Sequence, residues 1–247
     1  MYKSIARMEV TYVGPHEQPK GSAVLIKSPG GARFVLTAGH MLLENDRRRI
    51  HQIAFRFRGK TSHLVIDDFI QENKPWAVHP KLNSQSITAI YDIGIVKLPK
   101  KYPTAHPAGL KLKFNWPVTN RGIVDGLNGP DCTVAGYPVT INNRDVDDVY
   151  RSHDQLHAQS AKRTRTGSPD PYYGLFYASA STVNGMSGGA IFSDDGSDPL
   201  DVIGIVGGLT KDKLDGDGRR TLTRGVGAPI SAELYNGFIK PFIDRHS

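Results

Sequence analysis

The chain has 247 residues, 38% hydrophobic and 22% charged, with 26 glycines and 16 prolines. That balance argues against a disordered chain or a helical bundle and favours a β protein with many turns. No apolar run reaches the roughly 18 to 20 residues a helix needs to span a bilayer, so no membrane partner is expected.

The formal net charge is +7. Basic clusters at Arg47-Arg48-Arg49, Arg56 to Lys60 and Lys162-Arg163-Thr164-Arg165 can steer acidic partners or nucleic acid. No aromatic platform or DNA-reading motif accompanies them, which disfavours a nucleic-acid partner. The first ten residues, Met1 to Val10, lack the apolar core and small-residue cleavage site of a secretory signal, so a cytoplasmic location is expected unless a leader has been trimmed. Cys132 is the single cysteine. An intrachain disulfide is therefore excluded, and Cys132 reads as a small buried hydrophobe in a strand.

Period-two alternation and β-branched residues predict strands at about Ile5 to Val13, Ser22 to Lys27, Arg33 to Thr37, His51 to Arg58 and Ser62 to Phe69. Pro29-Gly30-Gly31 forms the expected turn between the second and third. After Trp76-Ala77-Val78-His79-Pro80 comes a strand from Ile93 to Leu98. His79 reads as a loop or edge residue. The segment Lys111 to Arg121, with Trp116-Pro117 inside it, is the predicted connection between two halves, 1–115 and 116–247. A second set of strands follows at Cys132 to Gly136, Val149 to Gln159, Tyr172 to Ala178, Ala190 to Phe192, Val202 to Leu209 and Thr221 to Ile230. Pro138 removes a donor and leaves open whether Val139 and Thr140 prolong the first of these. Ile141 to Asp148 and Lys162 to Pro171 read as long polar loops. From Ser231, a plausible N-cap, Leu234, Phe238, Phe242 and Ile243 share one helical face, and Pro241 is expected to bend or end the helix.

Three strings carry the chemistry: Leu36-Thr37-Ala38-Gly39-His40, Tyr91-Asp92-Ile93-Gly94-Ile95-Val96 and Gly185-Met186-Ser187-Gly188-Gly189. A serine hydroxyl is a poor nucleophile until an imidazole takes its proton, and the imidazole needs a carboxylate to fix its tautomer. Glycines around the serine let backbone N–H groups turn toward one point, where an oxyanion can be held. Each string alone is weak; what counts is that all three sit beside apolar strands. Asp67 and Asp68 lack the glycine-apolar run that follows Asp92. His51, His63, His106, His153 and His157 form no metal-binding spacing.

These residues, in the order His, Asp, Ser, resemble the chymotrypsin-fold (trypsin-like) serine proteases. With one cysteine and the turn Gly136-Tyr137-Pro138, the chain looks closer to bacterial glutamyl-endopeptidase or HtrA-like members than to disulfide-rich digestive enzymes. The resemblance implies an all-β fold of two six-stranded antiparallel β-barrels with a C-terminal helix. The first barrel, 1–115, would carry His40 and Asp92; the second, 116–247, would carry Ser187. It implies a serine endopeptidase working through an acyl-enzyme, without metal or organic cofactor, on protein or peptide substrates. His40 would be general base, Asp92 its orienting carboxylate, Ser187 the nucleophile, and the amides of Gly185 and Ser187 the oxyanion hole.

The substrate pocket would be lined by Ser181-Thr182-Val183, by Gly207-Gly208-Leu209 and by Gly225-Val226-Gly227. With no carboxylate at Ser181, a preference for Lys or Arg is disfavoured. Thr182 suits a polar or acidic side chain, yet Val206 stands where the glutamyl-endopeptidase branch supplies a histidine, so a small or medium side chain is expected. Met186 departs from the activated digestive members, which carry Asp before the serine and pair it with a new N-terminus. The site is then either preformed or ordered by substrate or an activating protein partner. Asp212, Asp215 and Asp217 suit a hairpin tip better than a calcium loop, since the distal Glu is missing. The alternative to an enzyme is a protease-fold binding module, inactive or closed until a partner docks.

Overall fold

The computed structural model describes residues 2–14, 18–28, 33–44, 49–57, 64–67, 74–82, 89–99, 109–112, 131–138, 140–141, 144–145, 150–157, 175–178, 185–193, 201–210 and 224–247. Strands dominate the N-terminal half: β1 (Ile5–Tyr12), β2 (Lys20–Lys27), β3 (Arg33–Thr37), β4 (Ile50–Phe57), β5 (Leu64–Asp67), β6 (Trp76–Val78) and β7 (Gly94–Lys97). They form one antiparallel sheet in the order β5-β4-β1-β2-β3-β7-β6. The C-terminal half contributes β8 (Asp131–Gly136), β9 (Thr140–Ile141), β10 (Arg144–Asp145), β11 (Tyr150–His157), β12 (Leu175–Ala178), β13 (Ala190–Ser193), β14 (Val202–Thr210) and β15 (Arg224–Pro229). Six of these close into an antiparallel barrel, β11-β12-β15-β14-β13-β8. The fold is thus chymotrypsin-like: two curled antiparallel units and a short C-terminal helix, with seven strands described in the first unit.

Two local expectations change. β8 stops at Gly136, so Thr140 belongs instead to a small hairpin of β9 with β10, paired Arg144↔Ile141 and Asp145↔Thr140. Part of the stretch read as a polar loop is therefore paired. At the C-terminus, Ser231 caps α1 (Ala232–Leu234), its Oγ accepting from the Leu234 amide at 3.0 Å. The helix neither ends nor breaks before Pro241. A π turn at Tyr235–Ile239 leads into α2 (Lys240–His246), with the Lys240 amide bonded to the Tyr235 carbonyl five residues back. The widened turn relieves the ring-to-carbonyl clash a proline makes inside an α-helix.

Among the described residues, buried apolar side chains group into three clusters. One fills the first sheet, built on Met8, Leu25, Val35, Phe55 and Trp76 among others. A smaller one, with Cys132, Val134, Met186, Ile191, Ile203 and Val206, lies inside the barrel. The largest joins both halves: Val24, Ile26, Phe34 and Ile95 meet Ala190, Phe192 and Ile205, and the helix covers them with Leu234, Phe238, Ile239, Phe242 and Ile243. The described start of the connection stitches the halves, since the Leu110 amide donates to Leu25 and the Val202 amide to Lys111. The expected division between residues 115 and 116 lies outside the described residues.

Candidate active site

His40 sits in a 3₁₀ turn, Gly39–Leu42, reached directly from β3. A Cβ on Gly39 would stand 2.9 Å from both the amide nitrogen and the carbonyl oxygen of Ile93, so the turn lies against the start of β7 at a distance only glycine allows. The approach sets up a double grip. Asp92 Oδ1 accepts the His40 amide at 2.8 Å, and Oδ2 pairs with His40 Nδ1 at 2.8 Å. An ionised carboxylate only accepts, so Nδ1 carries the hydrogen and Nε2 presents its lone pair. Asp92 is 2% exposed; burial removes competing water and makes these bonds count for more. The Tyr12 hydroxyl donates to the Met41 carbonyl at 3.1 Å and ties the turn to the first core.

Behind Asp92 stands a cluster that sequence reasoning missed. His79, read as a loop or edge residue, donates its amide to Ile93 O at 3.0 Å. Its ring stacks on Tyr91 at 4.7 Å between centroids and meets the edge of Phe238 at 5.2 Å. Lys81 Nζ reaches the Tyr91 hydroxyl at 3.1 Å. The 3₁₀ turn Ala89–Tyr91 that delivers Asp92 is thereby fastened to the C-terminal helix. Burial, with help from the Lys81 charge and against the pull of Glu233, holds the His79 pKa below its ordinary value. No short sequence pattern marks such a cluster.

Ser187 occupies a loop in which the carbonyls of Gly185, Met186 and Ser187 are each committed. Met186 O accepts the Gly189 amide at 2.8 Å, closing a turn in which Gly188 has φ +87°, the left-handed value that type II geometry requires at its third residue. Gly185 O accepts the Ser22 hydroxyl at 3.0 Å. Ser187 O accepts the Ser22 amide at 2.7 Å. In a trans peptide the N–H points opposite to the C=O, so a Met186 carbonyl held toward Gly189 turns the Ser187 N–H to the other side. The Ser187 hydroxyl donates to Gly207 O at 3.1 Å. Gly207 also borders the carboxylate, since a Cβ there would stand 3.1 Å from Asp92 Oδ2. The nucleophile candidate and the buried carboxylate thus share one glycine as neighbour.

Of the expected pocket residues, Gly207, Gly208 and Leu209 lie on β14, where Gly208 pairs with Val226 and Leu209 with Gly225. A side chain at Gly208 would meet nothing within 4 Å. Ser181, Thr182 and Val183 lie outside the described residues, as do Asp212, Asp215 and Asp217. Cys132 is buried in β8, as expected. Among the described residues no group of three or more His, Cys, Asp or Glu could hold a metal ion, and no helix is long and apolar enough to cross a membrane.

The buried His–Asp pair, the glycine-bounded serine loop and the two β units define the class of protein as a chymotrypsin-fold serine hydrolase. Comparison then fixes the family: the Trypsin family matches residues 18–226, and the chain belongs to it, as a trypsin-like serine endopeptidase. Solved structures agree on the fold. A thermostable serine protease, AL20, from an extremophilic microorganism superposes with a TM-score of 0.65 at 12% identity, over 98% of each chain. HL collagenase gives 0.64 at 14% identity, covering 97% of this chain and 93% of its own. The active form of the Rv3671c protease of M. tuberculosis gives 0.52 at 17% identity, covering 97% and 80%. No curated protein sequence matches the chain.

Proposed function

We propose that the chain cleaves peptide bonds through an acyl-enzyme, with Ser187 as nucleophile, His40 as general base and then general acid, and Asp92 as the group that orients His40. The observation that carries this reading is the double grip of Asp92 on the amide and Nδ1 of one histidine. It leaves Nε2 as the only basic atom of the ring. The Ser187 hydroxyl turns from Gly207 O to Nε2, gives up its proton, and Oγ attacks the substrate carbonyl. The carbonyl oxygen, now negative, is received by the amides of Gly185 and Ser187. Collapse breaks the C–N bond and the amine leaves with the proton held on His40. Water then repeats the sequence against the ester and frees Ser187.

Substrate backbone is proposed to lie along Gly207 to Thr210. There β14 pairs with β15, whereas its described pairing with β13 ends at Ile205, and an extended peptide can add along such an edge. A Cβ at Gly208 would meet nothing within 4 Å, which leaves room for it there.

A second reading, a protease-fold module closed until a partner docks, draws on the Ser187 hydroxyl being engaged with Gly207 O. Fluorophosphonate labelling separates the two. Rapid modification of the isolated chain, abolished by Ser187→Ala and by His40→Ala, is the expected result. An isolated chain that is not labelled at any pH between 6 and 9 sinks the proposal.

A further inference from the structure

Ser22 is fully buried in β2 between Gly21 and Ala23, in a strand whose next residues feed apolar cores. A hydroxyl there costs stability unless every polar group finds a partner. The partners are specific. Ser22 Oγ accepts the Tyr137 amide at 2.6 Å, so its single hydrogen is directed to Gly185 O, 3.0 Å away. Its amide donates to Ser187 O at 2.7 Å. Its carbonyl accepts the Thr37 hydroxyl at 2.8 Å, three residues before His40. One residue therefore joins the strand that leads to the histidine, the end of β8, and two of the three carbonyls that orient the nucleophile loop.

We propose that Ser22 is a positioning residue for the reaction: its hydroxyl holds the carbonyl of the Gly185–Met186 peptide, which links the two donor-bearing peptides, and its amide holds that of Ser187–Gly188, so that the Gly185 and Ser187 N–H groups keep their relative orientation before substrate arrives. The inference rests on the catalytic reading of Ser187. Gly185 has φ +93° and no side chain, so on that side of the Gly185–Met186 peptide the Ser22 hydroxyl is the described hydrogen bond that restrains its rotation, while the buried Met186 side chain anchors the other side. Removing that hydroxyl frees the peptide and leaves the Tyr137 amide without its acceptor. The Ser22 amide still holds Ser187 O, so the serine stays in place while the geometry of the anion site loosens.

The test follows labelling by a fluorophosphonate, whose phosphoryl oxygen needs the same amides as a peptide carbonyl. Wild type, Ser22→Ala and Thr37→Val are compared for limiting labelling rate, probe affinity and labelled fraction, across pH. A misplaced oxyanion donor costs on the order of 10 to 100-fold. Ser22→Ala is expected to slow the limiting rate by about that factor, with probe affinity, final labelled fraction and the shape of the pH profile unchanged. Thr37→Val, which removes one bond to the Ser22 carbonyl at nearly constant volume, is expected to slow it by about 2 to 5-fold, a partial loss of the same positioning.

A Ser22→Ala rate equal to wild type overturns the proposal. So does a normal rate with a reduced labelled fraction, which signals partial unfolding alone. If Ser22→Ala does not fold, Thr37→Val decides, and a wild-type rate there overturns it. Failure of wild type itself to label overturns the catalytic reading, an outcome distinct from equal labelling of both chains.

Discussion

Ser187 donates its hydroxyl hydrogen to the Gly207 carbonyl at 3.1 Å, while the Ser187 carbonyl is held independently by the Ser22 amide. Side chain and backbone of the same residue thus have separate anchors. Ser187→Ala removes only the first. Peptide turnover is expected to fall about 10⁶-fold, the cost of losing a serine nucleophile that acts as a unit with its base. The melting temperature should stay within roughly 2 °C of wild type, because a partly buried hydroxyl with one neutral hydrogen bond contributes little to stability. Parallel peptide hydrolysis and calorimetry check both halves. A drop of 10 °C would show that the side chain holds the loop.

Gly188 offers a sharper test of the loop. At φ +87° a Cβ would stand 2.0 Å from the Ser22 carbonyl oxygen and 2.3 Å from Thr37 Oγ1, and both atoms belong to a buried, hydrogen-bonded strand pair. The Ser22 oxygen is backbone and cannot swing away. Gly188→Ala is expected to destabilise by about 3 kcal/mol or more, roughly a 10 °C loss in melting temperature, and to abolish fluorophosphonate labelling. Gly237 is the control. It is exposed in the C-terminal helix with nothing within 4 Å of a Cβ, so Gly237→Ala should raise the melting temperature by about 1 to 3 °C. Equal effects at the two sites would refute the packing argument.

How far the sequence disclosed this arrangement depends on where each signal lies along the chain. Thr37-Ala38-Gly39-His40 and Asp92-Ile93-Gly94 are local: a residue type, an adjoining apolar strand and a glycine for close approach all fall within a few positions. Ser231 was legible for the same reason, a cap and its amide being three residues apart. Ser22 carries no such mark. Its partners lie 115 and 163 residues away, and they are backbone groups, which leave no trace in residue identity. In the strand pattern it looks like any small polar residue. His79 was hidden likewise, since stacking on Tyr91 and Phe238 requires the C-terminal helix to have docked first. The π turn escaped because Pro241 indicates that a helix is disturbed without indicating whether it ends or widens.

Met186, which cannot form the ion pair that an Asp makes at that place, has a different anchor. Its side chain is fully buried and joins Cys132, Val134, Ile191, Ile203 and Val206 in the barrel core, while its carbonyl closes the turn through Gly189. Apolar burial thus fastens the loop beside the nucleophile. Met186→Ala should cost about 2 to 5 kcal/mol, roughly 5 to 15 °C in melting temperature, through the cavity it leaves. Met186→Leu, nearly volume-conserving, should cost under about 1.5 kcal/mol and keep the labelling rate. Met186→Asp is expected to lose both fold and labelling, because a charge would enter a core with no described cation. Full activity in Met186→Asp would show that the loop is fastened some other way.

Acid sensitivity follows from two histidines outside the reacting groups. Burial is the main cause that lowers the pKa of His79, aided by Lys81 and opposed by Glu233, and burial again lowers that of His246, aided by Lys97 and Arg245. The fold favours the neutral imidazole at both places: His79 Nδ1 accepts the Lys81 amide at 3.2 Å, and packing of the His246 ring 4.3 Å from that of Phe242 keeps water from one of its faces. Unfolding releases both to their ordinary value of 6.5. Below that pH the unfolded chain binds more protons than the fold, so the contribution to stability is complete above 6.5 and is lost as the pH falls through the lowered folded values. Between pH 7.5 and 5.0 the melting temperature should therefore drop, and His79→Gln should show a smaller drop than wild type. Carboxylates that titrate over the same range are common to both chains and cancel in the comparison. Identical pH differences in the two proteins would remove His79 from the account and leave the acid response to other groups.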